Sequence, residues 1–324
     1  MKTAIIVTPE FESIWPFVAD HLQRLLTARG DVRLIRLAES TPTASEVVAE
    51  PQRVERLIAL GIGVTEADLD AFPALREVAA SLGYDEPPGL AEALAQRGIR
   101  RVAHGSEGFW GQSVAEFALG LTIAALRGIP QRHHLIITGP DAWQYEAQQY
   151  GDDSRFSNGT VAGKRVRIVG AGNIASRYAS FTHVLGADVA AWDPYAAEPG
   201  FHRSGTRREH FLDRLVDDAE IFAPMVPLTP STQGLVTAEL IGRLPRGCLV
   251  VVATRAKIID TAELRRRVIA DELSLAADVF DVEPLAPDDP LIGRANVVHT
   301  PHIAGRTRDA NHRWAEMLMD QFRP

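Results

Sequence analysis

The sequence has a single cysteine, Cys248, which excludes an internal disulfide bond and makes a reducing compartment, the cytoplasm, the expected location. Cys248 lies in an apolar run, so we expect a buried structural thiol and not a nucleophile. No apolar run is long enough to cross a bilayer, and residues 1–7 have the length of a strand, not of a signal peptide.

Negative charge exceeds positive charge in this sequence. The formal net charge is −8 and the pI is about 5.7, so global electrostatics do not favour a nucleic-acid or anionic-membrane partner. A metal site has no support either, because His133 and His134 are adjacent and neighbours on a helix point in different directions.

The chain has 324 residues, enough for two domains, and 46% of them are hydrophobic. Strands alternate with helices along both halves, which predicts two doubly wound parallel sheets and an α/β fold. The predicted strands are 4–7, 32–37, 57–60, 77–80, 101–103, 166–169, 188–192, 221–225, 249–253, 275–279 and 296–299. The predicted helices are 17–28, 65–72, 90–96, 114–126, 176–185 and 307–322.

A glycine-rich turn follows the strand 166–169. Residues 170–175 read G-A-G-N-I-A, in which Gly170 permits a sharp turn and Gly172 lets a pyrophosphate approach the backbone. The following helix offers free N–H groups to phosphates. Glycines alone more often form an ordinary turn. Here, however, a strand precedes them, a helix follows them, and an acid, Asp193, ends the next strand at the expected spacing. The segment therefore predicts a Rossmann dinucleotide site.

Asp193 ends the next strand, where an acid binds the ribose hydroxyls of the adenosine. A carboxylate repels a 2′-phosphate, and residues 194–197 supply no arginine to bind one, so NAD is favoured over NADP. Three arginines further along could fold back into this site: Arg203, Arg207 and Arg208.

The final helix is expected to return to the first half of the chain. We therefore predict a discontinuous flavodoxin-like substrate and catalytic domain, 1–103 plus 301–324, and a Rossmann NAD-binding domain, 104–300.

Three polar residues follow strands of the second half in the order Arg255, Glu283, His302. A guanidinium can bind a carboxylate bidentately and polarise a neighbouring carbonyl. An imidazole can exchange a proton with an alcohol or alkoxide, and a carboxylate on its second nitrogen would fix the tautomer. Taken singly, each residue could be an ordinary surface or core residue; together they predict a site for moving a hydride and a proton at one carbon.

These segments resemble the D-isomer-specific 2-hydroxyacid dehydrogenase family. The resemblance rests on 170–175, Asp193, 227–229, 254–256, A-D-V-F-D-V-E-P at 277–284 and T-P-H-I-A-G at 300–305, with V-A-E at 114–116. It is strong over roughly 100–310 and weaker in the N-terminal part.

The resemblance implies NAD-linked reduction of a 2-oxoacid, or the reverse oxidation. Arg255 would orient the substrate carboxylate, His302 would be the acid/base and Glu283 would support it. Asp278 would lie near the nicotinamide and modulate the pH behaviour. A homodimer, paired through the helix that begins at Val114, is also implied. The cofactor contacts implied are Gly170, Gly172, Asn173, Ile174, Asp193, Pro227, Thr232, Thr254 and Asp278.

The sequence also departs from the family pattern. The loop 83–89 has two acids and two prolines where the family has a glycine-rich carboxylate-binding loop, and Ala256 replaces a glycine. We expect Tyr84, Asp85 and Trp110 to contact substrate, with Phe109 as a further pocket residue. The alternative is that these aromatic side chains simply pack in the core.

Two other functions stay open at this stage. One is NAD-linked oxidation of a small oxyanion such as phosphite; formate fits less well, because its oxidation needs no proton acceptor. The other is an NAD(H)-sensing module like the corepressor branch of the family. A small-molecule 2-oxoacid or 2-hydroxyacid is the expected substrate, and no metal is expected.

Overall fold

The computed structural model describes residues 2–38, 43–82, 89–102, 108–139 and 152–323. The chain divides into two compact units. The first comprises Met1–Phe109 and Arg306–Pro324, and the second comprises Trp110–Gly305. These boundaries lie a few residues after the predicted ones at 103/104 and 300/301. As a consequence His302 belongs to the second unit, together with Arg255 and Glu283.

The first unit contains, within its described ranges, a parallel sheet of five strands in the order β2-β1-β3-β4-β5. This is the flavodoxin-like order. The strands are β1 Thr3–Val7, β2 Val32–Arg36, β3 Arg56–Leu60, β4 Glu77–Leu82 and β5 Arg100–Arg101. The helices are α1 Pro9–Ile14, α2 Val18–Thr27, α3 Ala44–Val47, α4 Glu66–Leu69, α5 Leu90–Gln96 and α13 Arg308–Met319.

The second unit contains a parallel sheet of seven described strands in the order β12-β11-β10-β9-β6-β7-β8. The strands are β6 Arg165–Val169, β7 Asp188–Trp192, β8 Arg207–Arg208, β9 Ile221–Pro224, β10 Leu249–Val252, β11 Ser274–Ala277 and β12 Val297–His299. The helices are α6 Gly111–Arg127, α7 Ile129–Thr138, α8 Asn173–Val184, α9 Glu198–Arg203, α10 Leu212–Val216, α11 Ala238–Arg243 and α12 Thr261–Ile269. The strand order reverses between β6 and β9, as in a Rossmann fold. The predicted α/β fold class is confirmed.

Strands β9 and β10, in the centre of the second sheet, are apolar throughout because both of their faces are covered. In β10, Leu249 and Val251 pack in one core cluster with α6 and α8, whereas Val250 and Val252 pack in the cluster on the opposite face. Cys248 belongs to the second cluster and is buried, as predicted, and its burial raises the pKa of the thiol.

A buried ion pair joins the C-terminal segment to the first sheet. Arg56 and Glu77 begin β3 and β4, their side chains are 2% exposed, and Arg56 Nη2 lies 2.8 Å from Glu77 Oε2. Arg56 also donates to the backbone oxygen of Arg323, and the Arg323 N–H donates to Glu77 Oε1. Each buried charge is thus paired and hydrogen-bonded, which offsets its desolvation.

Among the described residues, no single helix is long and apolar enough to cross a membrane. Helices α6 and α7 pass the test of length and composition only as a pair, and they are bent by 61° relative to each other.

Acid should destabilise the first unit through His21 in α2. Its ring stacks on that of His312 in α13, with 4.1 Å between the ring centroids. Arg24 contacts Nδ1 of His21, and Glu316 lies 3.5 Å from its Nε2. Burial, followed by the charges of His312 and Arg24, lowers the pKa of His21 below 6.5 despite Glu316.

Protonation therefore favours the unfolded chain, where the pKa of this group has its ordinary value. The stability that neutral His21 contributes is present above pH 6.5 and is lost as the pH falls below it. We expect the melting temperature to drop between about pH 7.5 and 5.5, and the drop to be smaller in His21→Gln. Thermal unfolding across this range tests the idea, with exposed His210→Gln as the control; equal pH slopes in the two variants would contradict it.

Candidate active site

The glycine turn after β6 has the geometry that a dinucleotide needs. Gly170 has φ +108°, and a Cβ there would lie 2.9 Å from Val226 Cγ1 and 3.0 Å from the oxygen of Met225. Gly172 is different, because a Cβ at this position would meet no atom of the described residues within 4 Å. The turn therefore requires glycine at 170 for its own backbone, while the space at 172 is open for a ligand.

Helix α8 begins directly after this space. Gly172 is its N-cap residue and provides no side-chain hydrogen bond to the first N–H groups, so the helix presents these donors and its positive dipole end to the open side. Asn173 and Ile174 form the first turn, and buried Ala175 allows close packing on the core. These residues fit the pyrophosphate of a dinucleotide.

Asp193 contacts the glycine turn, as its position after β7 predicts. Its Oδ2 accepts a 2.8 Å hydrogen bond from Ala171 N–H, and its Oδ1 accepts from the N–H groups of Tyr195 and Ala196 at 2.9 and 3.0 Å. The carboxylate is thus fixed beside the phosphate-binding turn, where it can also accept from ribose hydroxyls.

The loop after β9 lies beside this turn because β9 pairs with β6. Thr232 accepts from Thr229 N–H at 2.8 Å and donates to the Pro227 oxygen, so the loop 227–232 is closed by its own hydrogen bonds. Thr254, after β10, is buried and donates to the Pro224 oxygen at 3.3 Å. Pro227, Thr232 and Thr254 therefore all lie on loops at the carboxyl ends of neighbouring strands.

The structure brings Glu283 and His302 together. Nδ1 of His302 lies 2.7 Å from Oε2 of Glu283, and Oε1 of Glu283 accepts a 2.8 Å hydrogen bond from Phe280 N–H. Burial disfavours the charged carboxylate, but these two hydrogen bonds and the charges of His302 and Arg255 outweigh it. The pKa of Glu283 is consequently lower than its usual 4.5.

Arg255 lies after β10, the strand next to β11. Its side chain is exposed, and Nη1 donates to the backbone oxygen of Thr254 at 2.7 Å. Its charge makes a minor contribution to the lowered pKa of Glu283. Arg255 thus offers a planar cation on the loop after β10, and such a group can bind a carboxylate bidentately.

The backbone at His302 has φ +53°, an unusual conformation for a residue other than glycine. Asp278, which is fully buried, stabilises the loop around it. Its Oδ1 accepts from Thr300 Oγ1 at 2.6 Å and from Ile303 N–H at 2.9 Å, and its Oδ2 accepts from Ala304 N–H at 2.8 Å. The carboxylate that we expected at the nicotinamide end is directed at the loop that carries His302.

Sequence reasoning did not identify two further contacts of this loop. Thr300 donates to Asp278, and Ser113 in α6 donates to the Ala304 oxygen at 2.6 Å. Neither contact has a sequence signal, because the partners are far apart in the chain and belong to different elements.

The expected substrate residues have different outcomes. Tyr84 and Asp85 lie outside the described residues. Trp110 is the N-cap residue of α6, is half-buried and packs against the core of the second unit. Phe109 is 6% exposed and makes an edge contact with Trp15, with ring centroids 5.8 Å apart. Phe109 is thus packed against Trp15, and its pocket role stays a prediction. The described residues contain no cluster of three or more potential metal ligands.

The model of the D-isomer specific 2-hydroxyacid dehydrogenase NAD-binding domain matches residues 119–304, more than half of the chain. The chain belongs to this family. The resemblance noted in the sequence is confirmed, and members of this family are NAD-dependent oxidoreductases that act on the CH–OH group of 2-hydroxy acids.

Relatives in the family have several substrates. D-3-phosphoglycerate dehydrogenase of Archaeoglobus fulgidus is 30% identical over 277 residues, which are 85% of this chain and 46% of the relative. Glyoxylate reductase of Thermofilum pendens is 31% identical over 286 residues, 85% of this chain and 79% of the relative. The chain thus spans about half the length of the phosphoglycerate dehydrogenases that it matches.

A solved structure has the same fold. The NAD-complexed D-isomer specific 2-hydroxyacid dehydrogenase of Lactobacillus delbrueckii ssp. bulgaricus superposes with a TM-score of 0.73. It is 19% identical, and the match covers 99% of this chain and 96% of that one.

Two glycine substitutions should separate stability from cofactor binding. Gly170→Ala forces a side chain into the left-handed region and against Val226, so we expect a loss of about 1–3 kcal/mol of stability as well as weaker NADH binding. Gly172→Ala adds its methyl group in open space, so we expect normal stability but weaker NADH binding, because the methyl group occupies the approach of the pyrophosphate.

Thermal unfolding and NADH fluorescence titration measure the two effects. Gly242→Ala in α11, where the added methyl group would also meet no described atom within 4 Å, is the control. Normal NADH affinity in Gly172→Ala would show that the cofactor phosphates do not use this turn.

Proposed function

We propose that this protein is an NAD-dependent 2-hydroxyacid dehydrogenase that works mainly as a 2-oxoacid reductase. The observation that carries the proposal is the 2.7 Å contact between His302 and Glu283, with Arg255 on the loop after the neighbouring strand β10. The same three residues would be required for the reverse oxidation.

His302 is the proposed acid/base. With Nδ1 directed at Glu283, Nε2 is the nitrogen that can give a proton to the developing alkoxide or take one from the alcohol. Bound NADH supplies the hydride. Arg255 would bind the substrate carboxylate through its planar pair of N–H groups and so orient the C2 carbon.

Glu283 is the proposed orienting group. Because its pKa is lowered from 4.5, it stays ionised through neutral and mildly acidic pH, and the contact with His302 weakens only as the pH falls below that value. Asp278 would act through the loop around His302 as a positioning residue.

NAD is the proposed cofactor, since the Asp193 carboxylate stands at the ribose end of the glycine turn and would repel a 2′-phosphate. The cytoplasm, expected from the single cysteine, stays a prediction.

An NADH-consumption assay with a panel of 2-oxoacids of different size and charge tests the proposal. We expect His302→Ala to lower kcat by roughly 10²–10⁴-fold, as for other acid/base groups. Glu283→Gln, which keeps an acceptor for Nδ1 but not the charge, should lower kcat by about 10–100-fold. Arg255→Lys should mainly raise KM, because lysine cannot bind a carboxylate bidentately.

Exposed Lys257→Ala is the control in this assay. Turnover that survives His302→Ala unchanged would reject the assigned acid/base. NADH binding without turnover of any 2-oxoacid would favour phosphite, testable with NAD and phosphite, or an NAD(H)-sensing role.

A homodimer is proposed through α6 and α7. Four large apolar side chains of α7 are at least 46% exposed, an unusual density for one helix: Ile129, Leu135, Ile136 and Ile137. The family resemblance implies pairing through α6, and we propose that a second copy also buries these side chains of α7.

We expect light scattering to give twice the chain mass of 35.4 kDa, and Ile137→Glu to produce a monomer by placing a charge in the interface. Val184→Glu in α8 is the matched control, because Val184 is even more exposed and lies on another helix. A wild-type monomer, or a dimer that survives Ile137→Glu, would contradict this arrangement.

A further inference from the structure

We propose that Arg208 is already in position to bind a 2′-phosphate, and that two carboxylates, Asp193 and Glu198, prevent it from doing so. The preference for NAD then arises from negative charge beside an available cation, not from the lack of one. The inference rests on the proposed cofactor site and identifies which residues decide its selectivity.

Strand register places Arg208 on the same face of the sheet as Asp193. In the parallel pair β7–β8, Arg208 stands opposite Ala191. Side chains two residues apart in a strand share a face, so Asp193, just past the end of β7, continues the face of Ala191. Ala191 belongs to the core cluster that contains α8 residues, so this is the face on which the phosphate-binding helix lies.

Contacts of the guanidinium agree with this placement. Nη2 of Arg208 lies 3.5 Å from the backbone oxygen of Asp193, at the limit of a hydrogen bond, and the guanidinium carbon is 5.2 Å from the centre of the Phe201 ring. Nε of Arg208 is buried and has no hydrogen-bond partner among the described residues. The head group is therefore held next to Asp193 by packing and still has donors to offer.

Glu198, at the start of α9, is the present partner of this cation. Its Oε2 accepts from Nη1 of Arg208 at 3.1 Å, and its Oε1 lies 3.7 Å from His202. Glu198 is half exposed, so the ion pair is solvent-screened and easily exchanged for a stronger anion. A phosphate monoester carries more charge than a carboxylate and forms bidentate contacts with arginine.

Asp193 is the second carboxylate that would repel a 2′-phosphate. Its oxygens are fixed by three backbone N–H groups, so the carboxylate cannot turn away from an incoming 2′-phosphate. Removing its charge while keeping its acceptor oxygen should leave most of this turn intact. Asp193→Asn is therefore a milder change than truncation.

The experiment measures equilibrium dissociation constants of NADH and NADPH by fluorescence titration of the full chain. The variants are Asp193→Asn, Glu198→Gln, their combination, and the combination with Arg208→Met. We expect the ratio of the NADPH constant to the NADH constant to fall about 10-fold in each single variant and further in the double variant. Adding Arg208→Met to the double variant should reverse most of this fall in the ratio.

Arg207→Met in the double variant is the charge-matched control. Arg207 precedes Arg208 in the same strand, so its side chain points to the other face, and it is 56% exposed. We expect the gain in NADPH affinity to survive this substitution, although it also removes one positive charge.

The outcomes separate the two proposals. An unchanged ratio in the double variant, with NADH still bound, overturns the inference and leaves the proposed function standing. A gain that survives Arg208→Met, or that Arg207→Met removes equally, overturns the role of Arg208 and indicates a general charge effect. Failure of the wild-type chain to bind either nucleotide overturns the proposed function itself, and the inference with it.

Discussion

The candidate site depends on a buried carboxylate that touches neither Glu283 nor the His302 side chain. Asp278 is 0% exposed and accepts three hydrogen bonds from the loop after β12. A polar group buried in this way is stable only when hydrogen bonds replace its lost hydration. The loop depends on the same hydrogen bonds, because they keep His302 at φ +53°. The carboxylate and the loop thus stabilise each other, and the imidazole is oriented as a consequence.

Parallel pairing explains why residues far apart in the sequence meet here. Strands β10, β11 and β12 are consecutive neighbours in the sheet, and all of them end at the same edge. Arg255, Glu283 and His302 each follow one of these strands. Their order along the chain therefore becomes an order across one edge of the sheet, and short loops are enough to bring them together.

Much of this was predictable because it depends on local patterns. The apolar strands, the G-A-G-N-I-A turn and the long helix from Gly111 have periodicity and turn chemistry that can be read directly. Strand β8 was missed, since its two residues are both arginines and carry no apolar pattern. The loop contacts of Asp278 were missed for a different reason: its partners are 22 to 26 residues away, and only the tertiary fold brings them to its oxygens.

The adenosine end shows the same limit of local reasoning. Residues 194–197 contain no arginine, which by sequence alone favours NAD. Arg208 nevertheless lies beside Asp193, because its strand β8 pairs with β7 in the sheet. The two residues are not neighbours in the sequence. In the proposal made above, cofactor choice is a balance between the Arg208 cation and the carboxylates of Asp193 and Glu198. Such a balance depends on which groups share a face of the sheet, and the register between β7 and β8 decides that.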